Sequence, residues 1–361
     1  MKIKDITTCI EEIAPLNYAE SFDNVGLLVG NYNTEVTGVL VTLDTLENVV
    51  DEAIEKYCNL IVSFHPIIFS GLKKLNGNNY VERVVLKAIK NDIAIYSMHT
   101  ALDNSFQGVN AKICEVLGLQ NKKVLIPQKN TIKKLTTYVP NNNAEKIRMA
   151  LFKAGAGSIG NYDYCSFNTE GYGTYKGNEN SNPVIGEKGK LHTENETFMS
   201  VIFEKHKENS ILTALFNAHP YEEVAYDIVP LDNMNQEIGL GMIGELTEEK
   251  SELDFLKFLK ETMNAKGIRH SKLIGKPIKK VAVLGGSGSF AIQNAISAEA
   301  DIYVTSDIKY HEFYKAEGKL VIADIGHYES EQFTKNLLVD ILTKKFLNFA
   351  IILSNKNTNP I

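Results

Sequence analysis

Short apolar runs, separated by segments with helical spacing, recur at both ends of this chain and give way to another pattern in the middle. Val36 to Asp44, Asn59 to Phe64 and Ile93 to Met98 read as strands. Thr45 to Tyr57, Val81 to Lys90 and Val109 to Leu117 carry apolar residues at helical spacing. The tail repeats the style. Lys280 to Leu284, Ile302 to Thr305, Leu320 to Ala323 and Ala350 to Leu353 read as strands, and Phe290 to Glu299 and Glu331 to Phe346 as helices. Strands that are apolar throughout, with helices between them, predict an α/β sheet covered on both faces.

Polar, turn-rich segments at Pro127 to Asn130 and Asp232 to Gln236 bracket the middle. Between them, Leu135 to Val139, Ala144 to Ala154, Phe198 to Phe203, Ser210 to Ala218 and Val224 to Val229 read as β-α-β-α-β, with an extra strand near Tyr164 to Asn168. That order suits a small ferredoxin-like α+β domain. Gly171 to Lys190, rich in Gly and Asn, reads as a surface loop. The expected fold class is therefore α/β, one domain built from residues 1–128 and 235–361, with residues 129–234 inserted as an α+β domain.

With 361 residues there is length for two or three cores, and 44% hydrophobic with 23% charged residues excludes wholesale disorder. No apolar run approaches the roughly 20 residues of a membrane span. A net charge of -6 argues against direct nucleic-acid binding. Met1 to Ile13 is amphipathic and lacks the apolar stretch of a signal peptide. The four cysteines are scattered, which argues against a disulfide framework or a thiolate zinc site and suits a reducing cytoplasm.

The chemistry-bearing residues gather where strands end. His65 closes one strand; His99 closes another and Asp103 follows it; Asp307 and His311 follow a third; His327 and Glu331 follow a fourth. Ligands of open α/β sheets bind outside the carboxyl ends of the strands. On a helix, residues four apart share a face, so each carboxylate/imidazole pair can act together. A single His or Asp at a strand end is more often a cap or a solvated residue. Recurrence at several strand ends is what points to a metal. Mixed imidazole and carboxylate donors suit zinc, iron, manganese or nickel better than calcium, and two clusters brought together could hold two ions sharing a carboxylate. The loop Gly285, Gly286, Ser287 and Gly288, between a strand and a helix, reads either as a tight turn or as a contact for a phosphate or carboxylate. Asp23 and Asn24 read as a turn that could also line a pocket.

Taken in order, FDNVGLLVG (22–30), SFHPIIF (63–69), MHTALD (98–103), GGSGSF (285–290), TSDIKYH (305–311) and DIGHYESE (324–331) resemble the Nif-three-like family, also called GTP cyclohydrolase 1 type 2 homologs. The middle resembles the PII-like (CutA-like) insert of its longer bacterial members, most tellingly at AHPYEEVAYDIV (218–229). The resemblance implies a dinuclear metal site with His65, Asp103, His327 and Glu331 as ligands. It also implies a homohexamer, a trimer of dimers, with the metal sites facing an internal cavity. The family commonly has two adjacent histidines before the proline; here the first is Phe64. One tight ion is therefore expected and one weak or absent, unless water or His99 completes it.

Two functions follow as expectations. The first is a divalent-metal-dependent hydrolase of a nucleotide-like or other small anionic substrate, with Glu331, His99 or His311 moving protons. The alternative is a non-catalytic metal-binding regulatory or scaffold protein, whose PII-like insert senses a ligand or gates a cavity.

Overall fold

The computed structural model describes residues 1–361, which divide into two compact units: Met1–Pro127 with Gln236–Ile361, and Gln128–Asn235.

The first unit contains two sheets. One has β1 (Gly26–Val29), β2 (Val39–Thr42), β3 (Leu60–Ser63), β4 (Ala94–Ser97) and β15 (Ile351–Leu353), in the order β1-β4-β3-β2-β15. Its strands run parallel except β1, which pairs antiparallel with β4 at one edge. The other sheet has β5 (Gln120–Gln128), β10 (Asn235–Lys250), β11 (Arg269–His270), β12 (Ile278–Ser287), β13 (Ile302–Ser306) and β14 (Val321–Asp324), in the order β11-β14-β13-β12-β10-β5. At its centre β12, β13 and β14 are parallel.

Strand alternation divides the side chains between cores. Val39, Val41, Leu60 and Val62 of the first sheet and Val281, Val283, Ile302 and Val304 of the second enter one shared core. Helices Ile3–Glu11, Val109–Val116, Glu252–Thr262 and Thr334–Lys345 add Ile6, Ile113, Phe255 and Leu338 to it. The intervening residues face outward into two further cores. Leu40, Ile61 and Ile95 pack under helices Glu47–Glu55 and Tyr80–Lys90, and Ala282, Tyr303 and Ile322 pack with helix Ile292–Ser297. Both faces of each sheet are covered, which is why the strands read as continuous apolar runs.

The second unit contains β6 (Ile132–Pro140), β7 (Phe167–Lys176), β8 (Leu191–Glu204) and β9 (Tyr226–Leu231), in the order β7-β8-β6-β9 and antiparallel at every pairing. Helices Ala144–Lys153 and Glu208–Ala218 interrupt them to give β-α-β-β-α-β, the ferredoxin-like order. Leu135, Val139, Met199, Val201, Ile147 and Leu215 form its core.

Some sequence expectations need correction. Gly171 to Lys190 is not all loop: β7 continues to Lys176 and β8 begins at Leu191. Glycines at 171 and 173 mask that strand, since glycine carries no strand signal of its own. The helix expected from Glu331 to Phe346 is two, His327–Glu331 and Thr334–Lys345. The long β10 lies in a stretch left unassigned by apolar alternation. All four cysteines are free, and no helix is long and apolar enough to cross a membrane.

Candidate metal centre

The carboxyl ends of the parallel strands of both sheets meet in the first unit. Asp44 lies just past β2, His65 past β3, and His99 opens the short helix His99–Asp103 after β4. Asp307 directly follows β13, and helix His327–Glu331 follows β14. Every group at the centre thus comes from the edge where open α/β sheets bind ligands.

His65, His327 and Glu331 bring ligand atoms within 4.8 Å of one another. The Glu331 Oε2 atom is 3.0 Å from His65 Nε2 and 3.2 Å from His327 Nε2. The opposite nitrogens are tied to aspartates, His65 Nδ1 to Asp44 Oδ1 at 2.7 Å and His327 Nδ1 to Asp307 Oδ2 at 2.6 Å. A carboxylate on Nδ1 fixes the ring and leaves Nε2 to face the centre, the arrangement usual for metal-binding histidines. Thr358 donates to the second oxygen of Asp44 at 2.5 Å and steadies it.

Charge is crowded here. Burial and the nearby Glu331 carboxylate push the Asp103 carboxyl well up, against the pull of His65 and His327. Burial would raise Glu331 too, but His327 and His65 outweigh it and hold that carboxyl down. Burial works to lower His65, yet Asp44 and Glu331 lift it to about 10. The Glu331 carboxylate beside it lifts His327 to about 9 against burial. Asp103 Oδ1 and Glu331 Oε2 are both buried without a well-aligned hydrogen-bond donor. His65, His327 and Glu331 form a group that could hold a divalent cation, and Asp103 lies outside that group of three; a cation there would relieve the repulsion between Glu331 and Asp103.

His99 lies beside this group, its ring centroid 5.3 Å from that of His65 and 5.6 Å from that of Phe64. Its backbone takes φ of 25°, a strained value for a histidine. Asp23 holds it there. Oδ1 accepts from His99 Nδ1 at 2.8 Å, while Oδ2 accepts from the Thr100 N–H and hydroxyl at 3.0 and 2.5 Å. Burial works to raise Asp23, but the bonds from His99 and Thr100 prevail and bring it down to about 2. Phe64 is fully buried in the core shared by the two sheets.

Two sequence pairings are redrawn. Asp307 has φ of 56° and precedes the helical turn Tyr310–Ala316, so it shares no helix face with His311; it serves His327 instead. The His311 ring meets Tyr310 edge-on at 5.1 Å and lies tilted against Tyr314 at 6.3 Å, apart from the histidine group. In the glycine segment the Gly285 and Gly286 N–H groups are spent on Asn110 Oδ1 and Ser330 Oγ, at 3.0 and 2.9 Å, so they are not free for an anion. Gly286 has a different use. At its φ of 70°, a Cβ would collide with Glu331 Oε1, so glycine lets the strand end pass close to the ligand.

Asp44 and Asn110 are site residues that the sequence pattern does not single out. The strand-end rule covers Asp44, the last residue of its expected strand. Nothing local marks Asn110, which accepts from Gly285 and donates to the Asp103 carbonyl at 3.2 Å.

A sequence model of the Duf34/NIF3 (NGG1p interacting factor 3) family matches residues 1–360. A Bacillus subtilis relative called "GTP cyclohydrolase 1 type 2 homolog" is 40% identical over 99% of this chain and 97% of its own length. A Halalkalibacterium halodurans relative of the same name is 38% identical over 100% of this chain and 99% of its own. The crystal structure of a Bacillus cereus protein related to NIF3 superposes with a TM-score of 0.86 at 39% identity, covering 100% of this chain and 98% of that one.

Proposed function

This chain belongs to the Duf34/NIF3 family, and from that premise we propose that it is a divalent-metal-dependent hydrolase of a nucleotide-like or other small anionic substrate. The observation that carries the proposal is the convergence of His65, His327 and Glu331 within 4.8 Å, beside the buried, unpartnered oxygen of Asp103. These four residues would hold the metal, zinc, iron, manganese or nickel by donor type. A bound cation would supply Lewis acidity and a water activated at neutral pH.

The chain's own residues supply the rest. Asp44 and Asp307 hold the proton on Nδ1 of His65 and His327, so that the proton a cation would displace is the one on the Nε2 facing it. Asp23 orients His99 in the same way, turning its Nε2 toward the centre, where it would take a proton from water. A cavity of about 570 Å³ runs past Asp44, His65, Asp307 and His327, and Lys266 and Arg269 line it. That size suits a nucleotide, and Lys266 and Arg269 would meet its phosphates by giving up their contacts with the Ile361 carbonyl and Asp324. Exposed Phe22 and Phe69 lie 6.5 Å apart, with Phe69 6.3 Å from His99, offering faces on which a base can stack.

Phe64 favours a second reading, a metal-binding regulatory or scaffold protein, because a buried phenyl where the family commonly has an imidazole leaves one ion short of a ligand. A nucleotide panel assayed with and without Mn²⁺, Fe²⁺ or Zn²⁺ separates the two. Turnover that depends on metal and vanishes in Asp103→Ala supports the hydrolase; stoichiometric metal with no turnover on any substrate moves the function to regulation. The chain is also proposed to assemble as a homohexamer, with closed symmetry as is usual among soluble oligomers. A stable monomer by light scattering at micromolar concentration would refute that.

A further inference from the structure

The segment His219-Pro220-Tyr221-Glu222-Glu223 has no part in the metal chemistry. It sits in the ferredoxin-like unit, where it builds a cavity of about 530 Å³ with β7, β8 and the loop between them. His219 sets it up: Nε2 donates to the Tyr138 carbonyl at 3.1 Å, and Nδ1 accepts from the Tyr221 N–H at 3.2 Å. Tyr221 then donates its hydroxyl to Glu196 Oε1 at 3.0 Å.

Glu196 is the unusual residue. It stands three positions before Met199 on β8, on the face away from the unit's core, yet is only 8% exposed. Its Oε2 accepts from no protein donor, and the residue lines the cavity. Gly173 on β7 makes the space, since a Cβ there would collide with Oε2. The Tyr175 and Tyr221 rings stand 5.8 Å apart, and the Tyr175 hydroxyl donates to the Ile185 carbonyl at 2.9 Å, fastening the loop that walls the cavity. Tyr138 adds a third ring. Glu222 and Glu223 join Glu196 in the lining, against the single base Lys176. A largely buried carboxylate calls for a countercharge, and aromatic faces attract cations.

We propose that this cavity binds a small organic cation, an ammonium or guanidinium group enclosed by Tyr138, Tyr175 and Tyr221 and hydrogen-bonded to Glu196 Oε2. Charge complementarity selects this class over anions and neutral alcohols. The site is independent of the metal centre and of the hydrolase proposal.

Calorimetric titration of the full chain with agmatine and choline tests it, with 1,4-butanediol as the neutral control. At least one cation should bind saturably and the diol should not. Glu196→Gln keeps the Tyr221 contact and removes the charge, and should weaken binding by about tenfold or more. Gly173→Ala should abolish binding by placing a methyl group against Oε2; Glu196→Gln decides the matter if that variant misfolds. Absence of saturable binding at millimolar concentration for both cations, equal binding of the diol, or unchanged affinity in a folded Glu196→Gln protein would overturn the proposal.

Discussion

Three imidazoles in the first unit each have Nδ1 tied to an aspartate drawn from elsewhere in the chain: Asp44 for His65, Asp307 for His327 and Asp23 for His99. Such carboxylates typically change metal affinity by roughly 10- to 100-fold. Asp44→Asn should therefore weaken metal binding by about that factor without abolishing it, as read by chelator competition; an unchanged affinity would show that Asp44 does not orient His65. The same carboxylates set the pH dependence. His65 at about 10 and His327 at about 9 carry protons at neutral pH in the metal-free protein, and a metal must displace them. Affinity should rise with pH up to about 10, with proton release on binding measurable as a buffer-dependent calorimetric heat. Stability of the metal-free protein runs the other way. The contribution of two raised histidines is complete below the ordinary histidine range, near pH 6.5, and is lost as pH rises through about 9 to 10. Sequence alone marked His65, His327 and Glu331 because each lies just past a strand. It does not mark the pairings, since Asp44 is 21 positions from His65, Asp307 is 20 from His327 and Asp23 is 76 from His99, and no local spacing records a pair made by tertiary folding.

At the scale of elements, β3 explains Phe64. Leu60 and Val62 point into the shared core, and Phe64 continues that alternation past the end of the strand, while His65 turns to the metal centre. Phe64→His should raise bound metal from one ion per chain toward two, as measured by elemental analysis. It should also lower the melting temperature of the metal-free protein, because an imidazole replaces a buried phenyl group in the core. Unchanged stoichiometry would show that the missing ligand is not what limits the second ion. The parallel strands were legible because burial on both faces makes them uniformly apolar. The two-sheet arrangement was not, because alternation says which face a residue takes and not which strand lies beside it. In β7, Gly171 and Gly173 erased the signal, and the structure places Gly173 against Glu196.

Across the whole molecule, β5 and β10 carry the chain out of and back into the first unit as neighbours in one sheet. Residues 129–234 should therefore be removable. A protein with the ends joined by a short linker should remain folded, with cooperative melting and metal binding retained. An insoluble or molten product with several linker lengths would show that the remainder does not fold by itself.

The parallel pairing of β15 with β2 carries a consequence for biosynthesis. A ribosome delivers residues 39–42 long before residues 351–353, so β2 leaves the exit tunnel with its outer edge unpaired and keeps it so until residues 351–353 follow. Thr358, which steadies Asp44 beside His65, arrives later still. A nascent chain stalled before residue 350 holds all the proposed metal ligands but presents an open sheet edge, the kind that pairs with other chains. Once β15 pairs with β2 that edge is taken, the three-residue β15 becomes the sheet edge in its place, and Thr358 can brace Asp44 beside His65.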